Sequence, residues 1–152
     1  EARLRKEIEG VQFPSQKDYT DLELALNYAI EKGTTQLVIL GATGNRLDHT
    51  TGNIHLLYKL VKNNISGYIE DNSNRIYMID KELILQRQPG YNVSILPMPP
   101  FANGVTTKGL TYKLDNADLS FGTCLGISNE FSDEKAIISV EKGLILVFVS
   151  KD

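Results

Sequence analysis

Apolar residues in the first half of the chain recur at the spacing of helical faces. This pattern predicts one helix from Thr20 to about Gly33 and a second from about Thr50 to Lys62. The predicted core-facing positions are Leu22, Ala25, Leu26, Ala29 and Ile30 in the first, and Ile54, Leu57, Tyr58 and Val61 in the second. Thr20 with Glu23 forms a capping-box pattern at the first helix start. The unbroken apolar run 37–40 is typical of a strand covered on both faces.

Beyond Asn63 the pattern changes to short β-rich runs separated by turn residues. The predicted strands are 67–70, 75–79, 82–87, 92–96, 104–108, 110–114, 125–130, 136–140 and 144–150. Pro99-Pro100 is among the predicted turns. Many short strands at this spacing favour an antiparallel sandwich or barrel. Upstream of the first helix, residues 1–9 read as the end of a charged helix, and residues 11–14 read as a short strand.

A dense group of polar residues follows the run 37–40. Ligands of open α/β sheets bind beyond the carboxyl ends of strands, and a helix N-terminus favours phosphate. Arg46 adds a forked cation that can contact two phosphate oxygens. The spacing matches neither the Walker loop nor G-x-G-x-x-G. From these residues alone, a polar turn with a structural Arg46–Asp48 pair remains an equally open interpretation.

Composition excludes several classes of function. The formal net charge is −3 and the pI is about 5.4, so there is no basic excess to neutralise nucleic-acid phosphates. No apolar run is long enough to cross a membrane. The single cysteine, Cys124, excludes an intramolecular disulfide, and we therefore expect a cytoplasmic protein.

Two stretches in the first half carry a family resemblance. The segment Gly41–His49, followed by Asn53, resembles the G-x-x-G-G-R-x-D-H…N signature of thiamine pyrophosphokinases, with Asn45 in place of the second paired glycine. Lys17–Asp21 resembles the D-x-D-x-T-D segment of the same family, whose acidic residues line the metal and nucleotide site; Gln16 occupies its first Asp position. Read locally, those acids only start a turn and stabilise a helix N-terminus.

The second half carries two further matches. Residues 109–114 resemble the family's G-L-x-W-x-L element, with Tyr112 in the aromatic position, and residues 126–129 resemble its G-x-S-N element. In the family this second element contributes to a thiamine pocket at a homodimer interface. Ser and Asn side chains can hydrogen-bond an aminopyrimidine edge. A Ser-Asn turn between strands is the local alternative.

The resemblance implies a fold and an activity. The fold is a three-layer, Rossmann-like α/β nucleotide-binding part, residues 1–64, followed by an antiparallel β-sandwich for thiamine binding and dimerisation, residues 65–152. The activity is transfer of a pyrophosphoryl group from ATP to thiamine, with Mg²⁺ as cofactor and ATP as co-substrate. The implied partners are thiamine, ATP and a second copy of the chain in a homodimer.

The resemblance also assigns roles to individual residues. The implied catalytic residues are Asp18, Asp21, Arg46 and Asp48, of which Asp18 and Asp21 are also the metal ligands. The implied ATP-binding residues are Gly41, Thr43, Gly44, Arg46, His49 and Asn53. The implied thiamine-binding residues are Asp48, Ser128 and Asn129.

Two alternatives to catalysis by this chain stay open. Family members carry an upstream segment with a D-x-D-S acidic motif, and the sequence begins downstream of it. We therefore also consider a truncated or diverged homologue that binds thiamine or its diphosphate without transfer. A second alternative is a sugar or nucleoside kinase that shares only the polar loop and releases ADP.

Overall fold

The fold is a mixed β-sheet with two helices, seen in a computed structural model that describes residues 18–152. The predicted helix and strand within residues 1–14 lie outside the described residues. The elements are α1 (Asp21–Glu31), β1 (Gln36–Leu40), α2 (Leu47–Lys62), β2 (Ser66–Glu70), β3 (Asn74–Ile79), β4 (Glu82–Gln86), β5 (Asn92–Lys108), β6 (Ala117–Ser120), β7 (Asn129–Glu130), β8 (Lys135–Ser139) and β9 (Lys142–Ser150). Neither helix is long and apolar enough to cross a bilayer.

Both predicted helices are confirmed. Thr20 caps α1, and its hydroxyl accepts a hydrogen bond from the Glu23 amide at 3.2 Å. α2 begins at Leu47, earlier than predicted, because the Arg46 carbonyl already accepts a bond from the Thr50 amide at 3.0 Å. Two of the candidate site residues, Asp48 and His49, are therefore in the first turn of α2.

One sheet runs through the whole described chain. β1 and β2 are parallel and are joined by α2, so they form a βαβ unit. The sheet then continues with antiparallel strands in the order β2-β3-β9-β5. β8 follows by pairing with the far end of β5, and β4 pairs with the other edge of β8.

The central strands separate two hydrophobic cores. One core packs α1 and α2 onto the sheet and the other lies in the β-rich half. β9 shows the alternation: Leu146 is in the helical core, whereas Ile145, Val147 and Val149 are in the β-rich core. The strand therefore supplies side chains to both cores.

The layer arrangement differs from the prediction in the first half. Leu26 of α1 and Leu57 of α2 belong to the same core, so both helices cover the same face of the sheet. On the other face of β1, Val38 and Leu40 are 47% and 71% exposed, because no element within residues 18–152 packs there. The expectation of a strand covered on both faces is wrong for these residues. The Rossmann-like three-layer description is not confirmed, and the boundary at residue 64 stays a prediction.

The strands of the second half also differ in part from the prediction. Runs 92–96 and 104–108 are one 17-residue strand, β5, which continues through Pro99-Pro100 instead of turning there. The prolines are tolerated because the pairing with β9 shifts register between Pro97 and Ala102, where no regular ladder bond is required. The run 110–114 makes only a bridge from Leu110 to Phe131. The run 125–130 contributes only β7, and β6 was not predicted.

Candidate functional site

The polar loop, residues 41–46, connects the carboxyl end of β1 to α2. Two side chains of α2 form hydrogen bonds with the backbone of this loop. The Asn53 amide nitrogen donates to the Ala42 carbonyl at 2.8 Å, and the Thr50 hydroxyl accepts from the Gly44 amide at 3.1 Å. The loop is therefore ordered by its own helix, and part of its hydrogen-bonding capacity is already used.

Asp71 anchors the loop from the neighbouring strand. It directly follows β2, the parallel partner of β1, and its Oδ2 accepts a hydrogen bond from the Thr43 hydroxyl at 2.7 Å. Its Oδ1 accepts from the Ser73 and Asn74 amides, both at 2.8 Å. Burial by itself would raise the pKa of Asp71, but the bonds from Thr43, Ser73 and Asn74 outweigh it and lower the pKa. Asp71 is thus an ionised anchor for Thr43.

The Thr43–Asp71 bond should be measurable as an energetic coupling. Bonds to charged groups contribute roughly 1.5–3 kcal/mol, so we expect Thr43→Val to lower the free energy of unfolding by about that amount. In an Asp71→Ala background the same change should cost under about 0.5 kcal/mol, because the acceptor is gone. Urea unfolding of the four proteins measures this. The exposed Thr111→Val is the control, and equal Thr43→Val losses in both backgrounds would contradict the coupling.

Arg46 and Asp48 form an exposed ion pair at the mouth of the loop. Arg46 Nη2 lies 2.6 Å from Asp48 Oδ2, and Nε donates to Oδ1 at 3.2 Å. The side chains are 72% and 65% exposed. The Arg46 guanidinium is the main cause that lowers the pKa of Asp48, with the His49 amide next. Arg46 keeps further donors directed at solvent, while Asp48 is ionised and a weaker base than an ordinary carboxylate.

A cleft of about 320 Å³ lies between α1 and α2. It is lined by Thr20, Glu23, Asp48, His49, Gly52, Asn53 and Leu56. Lys59 joins the two helices, with its Nζ 2.9 Å from Glu23 Oε1 and 2.9 Å from Asn27 Oδ1. The structure thus brings the Asp18–Asp21 segment, through Thr20, beside the first turns of α2.

Two glycines, Gly44 in the polar loop and Gly52 in the lining of the cleft, have open space where a side chain would be. A Cβ added to Gly44 or Gly52 meets nothing within 4 Å, and neither residue has a positive φ. A glycine inside a helix such as α2 costs about 1 kcal/mol relative to alanine. Neither backbone conformation nor packing therefore requires glycine here, which is consistent with space kept for a ligand.

The predicted metal ligands, Asp18 and Asp21, are both exposed and flank the N-cap of α1. Within residues 18–152, no group of three or more His, Cys, Asp or Glu side chains is arranged to hold a metal. Two carboxylates nevertheless fit Mg²⁺, which is usually bound by one or two carboxylates with substrate phosphates and water completing the shell.

The candidate thiamine residues form a second cluster in the β-rich half. Ser128 is exposed, and its amide donates to the Ser94 hydroxyl at 3.0 Å. Asn129 is only 4% exposed, and its side chain is hydrogen-bonded to the backbone of Tyr112. None of the described residues that line the α1–α2 cleft comes from this half. The predicted site residues therefore fall into two clusters within one chain.

Sequence reasoning missed both Asp71 and the contact between Asn129 and Tyr112. Asp71 had one readable signal, since an acidic residue directly after the strand that pairs with β1 reaches the same sheet edge as the polar loop. The contact of Asn129 had none, because it joins Asn129 to Tyr112, 17 positions away, and no local pattern pairs the two segments.

The chain is a mixed α/β protein whose polar loop lies at the carboxyl end of β1, one of two parallel strands. Two family models match: "Thiamin pyrophosphokinase, catalytic domain" over residues 2–69 and "Thiamin pyrophosphokinase, vitamin B1 binding domain" over residues 80–145. The chain belongs to the thiamine pyrophosphokinase family.

Individual relatives support this membership. The chain is 37% identical to the thiamine pyrophosphokinase of Bacillus subtilis over 142 residues, which cover 92% of this chain and 66% of the relative. A crystal structure of the Bacillus subtilis protein matches with a TM-score of 0.86 over 90% of this chain and 65% of that one. A thiamin pyrophosphokinase family protein from Enterococcus faecalis is 30% identical, with a TM-score of 0.79 over 93% and 68%.

The chain is shorter than its curated relatives. It spans 66% of the Bacillus subtilis protein and 52% of thiamine pyrophosphokinase 1 of Oryza sativa.

Proposed function

We propose that the protein is a thiamine pyrophosphokinase, which transfers a pyrophosphoryl group from ATP to the hydroxyl of thiamine and gives thiamine diphosphate and AMP. The observation that carries the proposal is the polar loop of residues 41–46. It ends at the N-terminus of α2, beside a cleft that α1 closes on the other side. A helix N-terminus, a forked cation and open glycine positions suit a triphosphate.

The nucleotide side of the site is proposed to use Gly41, Thr43, Gly44, Arg46, His49 and Asn53. Arg46 is the strongest member of this set, because its exposed guanidinium carries a full charge and retains free donors. Thr50 and Asn53 hold the loop backbone, so that the loop is ordered before ATP binds. Because such charges are already in position, little free energy is needed to reorganise them when the phosphates react.

Asp18 and Asp21 are the proposed ligands of Mg²⁺. When bound, the ion would neutralise charge on the triphosphate. Phosphoryl-type transfer passes through a loose transition state, so positioning and charge neutralisation supply most of the catalysis. The task of this chain's own residues is then to hold the β-phosphorus of ATP in line with the thiamine hydroxyl.

The reaction forms a bond between the thiamine oxygen and the β-phosphorus and breaks the bond between that phosphorus and the oxygen of AMP. Asp48 and His49 line the cleft and are the candidates to accept the hydroxyl proton. The pairing with Arg46 that lowers the pKa of Asp48 weakens it as a base and favours His49. Asp48 is better suited to orient thiamine.

Thiamine is proposed to bind Asp48 from one chain and the Ser128–Asn129 segment from the other chain of a homodimer. Support comes from the lining of the α1–α2 cleft, which includes Asp48 but neither Ser128 nor Asn129 of the same chain, so a second copy would supply them. We propose the cytoplasm as the compartment of the protein.

The test is incubation with ATP, Mg²⁺ and thiamine, with AMP and thiamine diphosphate as the measured products. We expect both products in equal amounts. Thiamine binding without AMP would favour the binding module, and ADP in place of AMP would favour a kinase of another kind. If neither product forms, the same assay on a chain extended upstream is expected to restore them, and continued inactivity would overturn the proposal.

A further inference from the structure

The Thr43 hydroxyl can only accept further hydrogen bonds, because its single proton is already used. Thr43 Oγ1 donates to Asp71 Oδ2 at 2.7 Å, and the ionised carboxylate has no proton to give in return. Within residues 18–152 this is the one hydrogen bond that the Thr43 side chain makes. The oxygen therefore keeps unused lone pairs, and donation to a carboxylate makes it a stronger acceptor.

Asp71 itself has no acceptor capacity left for a ligand. Its Oδ1 accepts from the Ser73 amide, the Asn74 amide and the Asn74 side chain. Its Oδ2 accepts from Thr43 and, at 3.2 Å, from the Asn74 side chain. A carboxylate offers about four lone-pair sites, so these donors use all of them. Any effect of Asp71 on a ligand therefore has to pass through Thr43.

A phosphate oxygen of ATP is a poor match for Thr43 Oγ1. Both atoms are acceptors, and the Asp71 carboxylate next to Thr43 repels negative charge. A neutral donor suits this oxygen better, and ATP carries such donors on its ribose, which adjoins the phosphates. Water on Mg²⁺ is favoured less, because the proposed metal ligands flank the start of α1, whereas neither Thr43 nor Asp71 is among the residues that line the α1–α2 cleft.

The position of Asp71 in the βαβ unit supports the same ligand. Asp71 directly follows β2, and the polar loop follows β1, the parallel neighbour of β2. In dinucleotide-binding βαβ units the phosphates bind at the loop after the first strand, and an acidic residue further along the chain accepts a hydrogen bond from a ribose hydroxyl. Because the acid is saturated here, Thr43 Oγ1 would take the place of its carboxylate oxygen.

We infer that Thr43, held by Asp71, accepts a hydrogen bond from a ribose hydroxyl of ATP, and that this contact makes the protein select ribonucleotides over deoxyribonucleotides. The inference rests on the proposed function and deepens it. Thr43 is then a specificity-determining residue. Asp71 is a positioning residue, which acts by fixing the direction in which the Thr43 hydroxyl donates.

Substrate analogues test the contact without any change in the protein. The measurements are kcat/KM and the dissociation constant of the full-length protein for ATP, 2′-deoxy-ATP and 3′-deoxy-ATP, each with Mg²⁺. We expect at least one deoxy analogue to be about tenfold worse than ATP in both quantities, because its missing hydroxyl leaves a charge-assisted acceptor unpaired. Values within about twofold of ATP for both analogues would overturn the inference.

Variants test whether Thr43 is the residue that reads the hydroxyl. Thr43→Val has a similar shape but no acceptor, so the ratio of ATP to the poorer analogue should fall to within about twofold of one. Thr43→Ser should keep the ratio. Asp71→Asn should lower it, since an amide can donate to Thr43 and reverse the bond. Thr35→Val, an exposed change at the amino end of β1, should leave it unaltered.

The ratio separates recognition from a purely structural effect. A loosened loop would weaken ATP and its analogues equally, so an unchanged ratio in folded Thr43→Val would overturn the inference. Thermal unfolding checks each variant, and Thr43→Ala, which also lacks the hydroxyl, replaces Thr43→Val if that variant does not fold.

The dissociation constants separate the inference from the proposed function, because binding of ATP requires no turnover. If ATP is preferred over a deoxy analogue through Thr43 but no AMP forms, the proposed transfer fails and the ribose contact stands. If AMP forms equally well from ATP and both analogues, the inference fails and the proposed function stands. A full-length protein that does not bind ATP would overturn both.

Discussion

Replacing Arg46 by alanine is expected to lower turnover by about 100-fold or more while the protein stays folded. The guanidinium is exposed at the mouth of the polar loop, and removing one preorganised group that stabilises developing charge typically costs about 10²–10³ in rate. Its pairing with Asp48 is a surface ion pair, so stability should change by no more than about 0.5 kcal/mol. Steady-state assays with ATP and thiamine, combined with thermal unfolding, measure the two effects.

Two variants sharpen the Arg46 prediction. Arg46→Lys keeps the charge but loses the fork, so we expect it to fall between wild type and Arg46→Ala. Arg87→Ala is the matched control, because Arg87 is also partly exposed and pairs weakly with Glu134, at 3.4 Å, on the β-rich half. Turnover of Arg46→Ala within about twofold of wild type would be worth under 1 kcal/mol of barrier and would refute the phosphate role.

Gly109→Ala is expected to give the largest loss of stability of any change considered, about 3–5 kcal/mol. Gly109 has a φ of 73°, and an added Cβ would overlap the carbonyl oxygen of Lys135 and lie 3.0 Å from its carbonyl carbon. Both are backbone atoms of Lys135, the first residue of β8, so no side-chain rotation can relieve the clash. Denaturant unfolding measures the loss directly.

Gly90→Ala separates the two causes of that loss. Gly90 has a similar φ of 78°, but a Cβ there meets nothing within 4 Å. It should therefore cost only about 1–2 kcal/mol, the penalty of a left-handed conformation. Similar losses for the two variants would mean that the β8 segment moves aside at Gly109 without much cost.

Local patterns in the sequence predicted the local parts of the fold. The Thr20 cap and the apolar faces of α1 and α2 depend on residues three or four positions apart, so the sequence alone indicates them. β5 was divided at Pro99-Pro100 because proline usually interrupts a ladder, and only the pairing with β9 shows that the register shift accommodates it.

The candidate site was predictable to a similar extent. The polar loop and the position of Arg46 next to a helix N-terminus follow from consecutive residues. The anchor from Asp71 to Thr43 joins residues 28 positions apart, and it exists only because β1 and β2 are parallel neighbours. The contact between Asn129 and Tyr112 joins residues 17 positions apart, and it depends on the antiparallel bridge from Leu110 to Phe131.

The position of β9 between the two hydrophobic cores limits how this chain can change over evolution. Because Leu146 packs toward the helices while its neighbours Ile145 and Val147 pack into the β-rich core, adjacent positions of one strand are constrained by different cores. An exchange of the β-rich half for an unrelated module would remove β9 and with it Leu146, which belongs to the core of the helices. Specificity in such a chain is therefore expected to diversify through its loops, such as residues 41–46 and 121–128, while β9 changes slowly.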